Sequence, residues 1–174
     1  MHLTEPVTTL TDYVLAAVSL GFAVSLARSI GPRNRVSTWC WCAAFLASGV
    51  AAAAGGTYHG FTASLEEETR RMLWNVTTFS MGACAAFITA GIHSAYIRRR
   101  DGTVKWLAYG IGVTLLGAAV QQGRIPRGTH FNHNDAYHLI QIVGLYFLFR
   151  CARTVRDRPG LPPDLSLETR ASRS

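Results

Sequence analysis

The sequence predicts an all-α fold, a polytopic membrane helix bundle of about five transmembrane helices with its N-terminus outside and its C-terminus in the cytoplasm. Three observations predict it. Hydrophobic residues make up 49% of the 174 positions and charged residues only 16%, against roughly 25% charged in soluble domains. The charges are clumped between apolar runs, and several runs reach the about 20 residues that a bilayer core of about 30 Å requires. Lysine and arginine fall unevenly on alternate sides of those runs. Together these features exclude a disordered chain, a coiled coil and a disulfide-stapled module.

The runs cover residues 10–28, 37–58, 72–97, 104–121 and 136–155. Breakers and charges separate them: Gly31-Pro32 with Arg33 and Arg35, then Glu66, Glu67 and Glu68 with Arg70 and Arg71. Arg98-Arg99-Arg100-Asp101-Gly102 and the Arg124 to Gly128 turn follow. Residues 1–155 read as the membrane domain and 156–174, rich in proline and charge, as a flexible polar cytoplasmic tail. The first run is too long for a signal h-region and lacks a basic segment before it, so it is expected to stay as an anchor.

Thirteen of the 17 Lys and Arg residues fall on one side of this topology and four (Arg70, Arg71, Arg124, Arg127) on the other. The positive-inside rule makes the rich side cytoplasmic. The net charge of +7 is then explained by anchoring against anionic lipid, with no nucleic-acid partner. The chain is expected in a bacterial inner membrane, with membrane lipid as partner and a lipid-like molecule as the substrate class. The spacing of Cys40, Cys42, Cys84 and Cys151 matches no zinc or thioredoxin pattern, and they read as small apolar residues. Residues 43–56 are nearly all small, which places the second span centrally, and Gly110, Gly112 and Gly117 give the fourth a similar seam. Trp39, Trp41, Trp74 and Trp106 fall near span ends as an aromatic belt.

Polar groups inside spans are costly and therefore informative. Glu5 and Asp12 open the first span, His59 closes the second, and Asn75 and Thr77 begin the third. Gln121 and Gln122 end the fourth, and His130, His133, Asn134, Asp135 and His138 lead into the fifth. All five helices bring such groups to the outer leaflet. Asn134 and His138 are four residues apart and share a face, whereas His133 and His138 are separated by about 140° on a helix. Asn134 or Asp135 is the expected helix cap. A zinc site takes three nitrogen or oxygen ligands and an open water position. His59, His138 and one of His130 or His133 can supply the imidazoles, with Asp12, Glu5, Asn75 and Gln141 orienting them or the water. Zinc would make that water a nucleophile for acyl or amide cleavage. Two alternatives stand beside this: haem bound by His59 and His138, and a non-enzymatic sensor, lipid-binding or assembly protein whose polar groups satisfy one another.

Gly55-Gly56-Thr57-Tyr58-His59-Gly60-Phe61, Leu73-Trp74-Asn75 and Phe131 through Gln141 resemble a family of uncharacterised bacterial multi-pass membrane proteins over most of residues 4–154. More remotely they resemble the membrane hydrolase superfamily of alkaline ceramidases, adiponectin-type receptors and the Per1 group. That resemblance implies a zinc held by three histidines: His59 and His138, with Asn134 at the remaining ligand position and His133 adjacent. It further implies catalytic positions at Asp12, Thr57 and Asn75, where Thr57 stands for a serine and Asn75 for an aspartate. The superfamily has seven spans, against the five read here.

Overall fold

The computed structural model describes residues 3–97, 102–128 and 131–158. Among them the fold is all-α with five long helices: α1 Pro6–Ala27, α2 Arg35–Phe61, α3 Glu67–Ser94, α4 Thr103–Gln122 and α5 His133–Ala152. A 3₁₀ turn, Thr62–Ser64, follows α2. The helices α1 to α4 are long and apolar enough to cross a membrane. The fifth helix, as long as α4, carries His133, Asn134, Asp135, His138, Gln141 and Arg150 and is less apolar.

Successive helices run in opposite directions, and their spatial order is α3, α2, α1, α5, α4, with the neighbours α1 and α5 parallel. The second helix lies inside this array, between α1 and α3, because its small residues let neighbours approach. Gly49 sits where a methyl group would stand 3.1 Å from Leu20, and at Gly91 of α3 one would stand 3.1 Å from the Trp41 indole. In α4, Gly110 and Gly117 meet Leu148 and Ile140 of α5. Gly112 faces open space and is not part of that seam. Trp41 also departs from the belt reading. It is fully buried, whereas Trp39 and Trp74 are more than half exposed.

Each helix starts or stops where local chemistry allows, not where hydropathy changes. Pro6 occupies the first turn of α1, where its missing N–H costs nothing. The cap of α5 is Asn132, in place of the expected Asn134 or Asp135. Its side chain accepts from the N–H groups of Asn134 and Asp135, and the Asp135 carboxylate accepts from Asn132 N–H at 2.7 Å. This reciprocal box starts the helix at His133, and such caps contribute about 1 kcal/mol.

At the opposite end the chain beyond α5 does not leave the bundle at residue 156. Asp157 accepts from Val36 N–H at 2.9 Å, Ser37 N–H at 2.8 Å and the Ser37 hydroxyl at 2.6 Å. It thereby caps α2 from 120 residues away. Tyr96 N–H donates to Arg156 O, and Arg158 N–H to Ser94 O, tying the same segment to the end of α3. Residues 156–158 of the expected tail are thus tied to the bundle, and residues 159–174 lie outside the described residues.

Two zones divide the interior. In the middle of the bundle Phe22 of α1 stacks on Phe149 of α5, centroids 4.4 Å apart, and Phe45 of α2 meets Phe22 edge-on at 5.6 Å. This aromatic layer joins α1, α2 and α5. Between this layer and the ends of α1, α2 and α5 that carry Thr8, His59 and Asp135, the interior also holds the buried polar groups Thr8, Thr11, Asp12, Asp135 and His138.

Candidate functional site: a buried acid–imidazole cluster

On α1, Thr8, Thr11, Asp12, Leu15 and Ser19 are buried, and their spacing of three and four residues makes them one face of a helix. That face meets the first turns of α5, where Asp135 and His138 are buried. Two rungs result. In the first, the Thr8 hydroxyl donates to Asp135 Oδ1 at 2.8 Å while Asp135 Oδ2 serves the α5 cap. In the second, one turn deeper, His138 Nε2 lies 3.2 Å from Asp12 Oδ1 and His138 Nδ1 lies 3.0 Å from Thr11 Oγ1.

Hydroxyl valence limits the proton arrangement. Thr11 has a single proton and two acceptors at 3.0 Å, Thr8 O and His138 Nδ1; when it goes to Thr8 O the Thr11 oxygen accepts from Nδ1–H, and when it goes to Nδ1 the ring donates from Nε2 to Asp12. At 3.2 Å, Nε2 and Asp12 Oδ1 share a proton carried on the ring or on the carboxyl group. In either arrangement both ring nitrogens are engaged and no lone pair of His138 is free.

The carboxyl group of Asp12 fits between α1 and α2 because α2 has glycine there. A methyl group at Gly56 would stand 2.9 Å from Asp12 Cβ, and one at Gly55 3.7 Å from both carboxyl oxygens. The second oxygen, Oδ2, is buried and has no hydrogen-bond partner among the described residues.

His59, near the end of α2, is directed to another carboxylate. Its Nδ1 lies 3.4 Å from Glu5 Oε2, at a half-exposed position beside the start of α1. Thr4 N–H donates to Gly60 O at 3.0 Å, holding the two chain segments together. Thr57 is half-buried; its hydroxyl lies 2.8 Å from Ala53 O and shares a hydrogen bond with the Tyr13 hydroxyl at 3.0 Å.

The structure thus brings together some of the residues singled out by sequence and separates others. Asp12 and His138 are in contact. His59 lies within Coulombic reach of His138 but pairs with Glu5. His133, as the first residue of α5, faces a cleft with Arg124, Arg127 and Asn132, away from His138. Asn75 is exposed on α3 beside Glu68, Arg71 and Met72. His130 lies outside the described residues. Among the described residues no three His, Cys, Asp or Glu side chains are grouped to hold a metal ion. The described donor set therefore does not fit a three-histidine zinc centre.

Sequence reading missed Thr8 and Thr11. Their signal was available: a Thr-Thr-x-Thr-Asp run at the start of an apolar helix places two hydroxyls and a carboxylate on one face.

Fold and cluster together define the class: a bundle of long apolar helices closed at one end by a buried acid–imidazole–hydroxyl cluster. The chain belongs to a family of unknown function, DUF6962, matched over residues 7–94 and 85–157. The matched segments contain Thr8, Asp12, His59, Asp135 and His138. No curated protein and no solved structure matches the chain.

Proposed function

We propose that the protein is an integral membrane protein of five spans, N-terminus outside, in a bacterial inner membrane. In this reading it is a non-enzymatic sensor or lipid-binding protein, and its outer cluster is a locking element between helices. The topology is supported by the bias of Lys and Arg toward one side. It is also supported by apolar side chains on the outward faces of α3 and α4, among them Met72, Phe79, Ile111 and Leu115. Polar α5 is accommodated between α1 and α4, where its polar groups find partners.

The observation that carries the functional reading is the occupancy of His138. Its two nitrogens are directed to Asp12 and Thr11, so the imidazole joins α1 to α5. The aromatic layer below the cluster supports a site that communicates with one leaflet and argues against a transport path.

Metal content decides between this reading and the zinc-dependent hydrolase. Purified protein is expected to hold far less than one zinc per chain by mass spectrometry, and His138→Ala to be less heat-stable with no metal to lose. About one zinc per chain, lost in both His59→Ala and His138→Ala, would overturn the proposal in favour of a hydrolase of lipid amides or esters at the periplasmic leaflet.

One geometric feature favours a second reading. Thr11, His138 and Asp12 stand in the order and at the spacing of a nucleophile, base and orienting acid. Hydrolysis of a lipid ester by wild type, abolished in both Thr11→Val and His138→Ala, would establish it. Thr8 O, 3.0 Å from the Thr11 hydroxyl, competes with His138 for its proton and weighs against it.

A further inference from the structure

The turn between α4 and α5 and the first residues of α5 enclose a cleft of about 410 Å³, lined by Arg124, Arg127, Gly128, Asn132 and His133. Its volume is in the range of small-molecule sites. Arg124 and Arg127 are exposed, and no carboxylate among the described residues pairs with either. The nearest acid in sequence, Asp135, is fully buried and committed to Thr8 and to Asn132 N–H. The N–H groups of Asn134 and Asp135 are likewise taken up by the Asn132 side chain. The positive charge in the cleft therefore comes from side chains, and it is uncompensated.

Its location makes that charge unusual. On the topology proposed above, the outer side holds only four of the 17 basic residues, because basic residues are disfavoured there. Two of the four line this cleft. Arg70 of the other pair is already bound to Glu67. Guanidinium forks suit phosphate oxygens, and they bind them through short charge-assisted hydrogen bonds.

We propose that this cleft binds a phosphate-bearing anion, the headgroup of an anionic phospholipid of the outer-facing leaflet, with Arg124 and Arg127 as phosphate ligands and His133 and Asn132 as hydrogen-bonding neighbours. The inference names the ligand class of the lipid-binding reading and rests on it for the side of the membrane. Asn132 also caps the helix that presents His138, so the ligand would sit against the segment that anchors the acid–imidazole cluster.

The test is native mass spectrometry of the full chain released from detergent with added phosphatidylglycerol, beside thermal unfolding in the same detergent. Wild type is expected to retain phosphatidylglycerol. Arg124→Gln/Arg127→Gln should bind it about ten-fold more weakly, since loss of charge-assisted bonds costs at least about 1.4 kcal/mol. Its melting temperature without lipid should match wild type, because both side chains are exposed. Arg70→Gln/Arg71→Gln, the other outer basic pair, should bind as wild type does. Inorganic phosphate at equal concentration should not displace the lipid; if it does, the same residues bind a free anion and the lipid source is wrong. Equal retention by the Arg124/Arg127 variant, or an equal loss in the Arg70/Arg71 variant, overturns the site. Zinc content of the same samples reads the non-enzymatic proposal separately.

Discussion

Removing one member of the Asp12–His138 pair isolates the contribution of the cluster to the fold. The two side chains are 5% and 9% exposed, so water cannot replace a lost partner. Asp12→Ala leaves His138 Nε2 buried without its partner. His138→Ala leaves both oxygens of Asp12 without partners, since Oδ2 has none already. Breaking a buried pair from one side costs about 3 kcal/mol or more. For a chain of this size that corresponds to a fall in melting temperature of about 6–12 °C. Asp12→Ala/His138→Ala removes both groups at once and should cost well under the sum, with a coupling of about 2 kcal/mol. That exceeds the about 0.6 kcal/mol typical of polar pairs between membrane helices, because this contact pairs an acid with a base. Thermal unfolding of the four proteins in one detergent measures the cycle. Single variants that each lose little, or losses that add to within about 0.5 kcal/mol, would refute the reasoning.

Gly56→Ala places a methyl group 2.9 Å from Asp12 Cβ, against backbone-proximal carbon that cannot swing away; we expect a loss of about 1–3 kcal/mol, read as a lower melting temperature, whereas Gly112→Ala, facing open space, should be neutral or slightly stabilising. Asp157→Ala removes the cap of α2 and is expected to cost about 2 kcal/mol, visible as faster hydrogen exchange at Val36 and Ser37; unchanged exchange there would contradict the stapling role. Glu5→Gln breaks a half-exposed contact with His59 and should change stability by less than about 1 kcal/mol, in contrast to Asp12→Ala.

The helices were legible in the sequence because apolar runs long enough to span a bilayer leave little choice of secondary structure. Their ends were less so. Hydropathy marks where a segment meets water, whereas a helix continues as long as its backbone is bonded and capped. For that reason α3 starts at Glu67, within a charged stretch, and α5 starts at His133, where Asn132 and Asp135 form their reciprocal cap. The role of Asp157 was hidden because a cap supplied from 120 residues away leaves no local pattern.

Convergence of polar groups at one end was also legible, since each was an exception in an apolar segment. Their pairing was not. Which groups meet depends on the rotation of each helix about its axis, and that is set by packing. Rotation turns Asp12 and Thr11 toward His138, leaves Asn75 outside and sends His133 toward Arg124 and Arg127. The described groups thus form two His–carboxylate pairs, Asp12–His138 and Glu5–His59, and a basic cleft beside His133.

The central claim is that His138 is held by Asp12 and Thr11 through both ring nitrogens. Nitrogen NMR of the histidine-labelled protein, with His138→Asn to assign the signal, tests it most directly. The account predicts that the His138 resonances move in Asp12→Asn and Thr11→Val and stay fixed when zinc or a chelator is added. Resonances that respond to the chelator and ignore Asp12→Asn would contradict it.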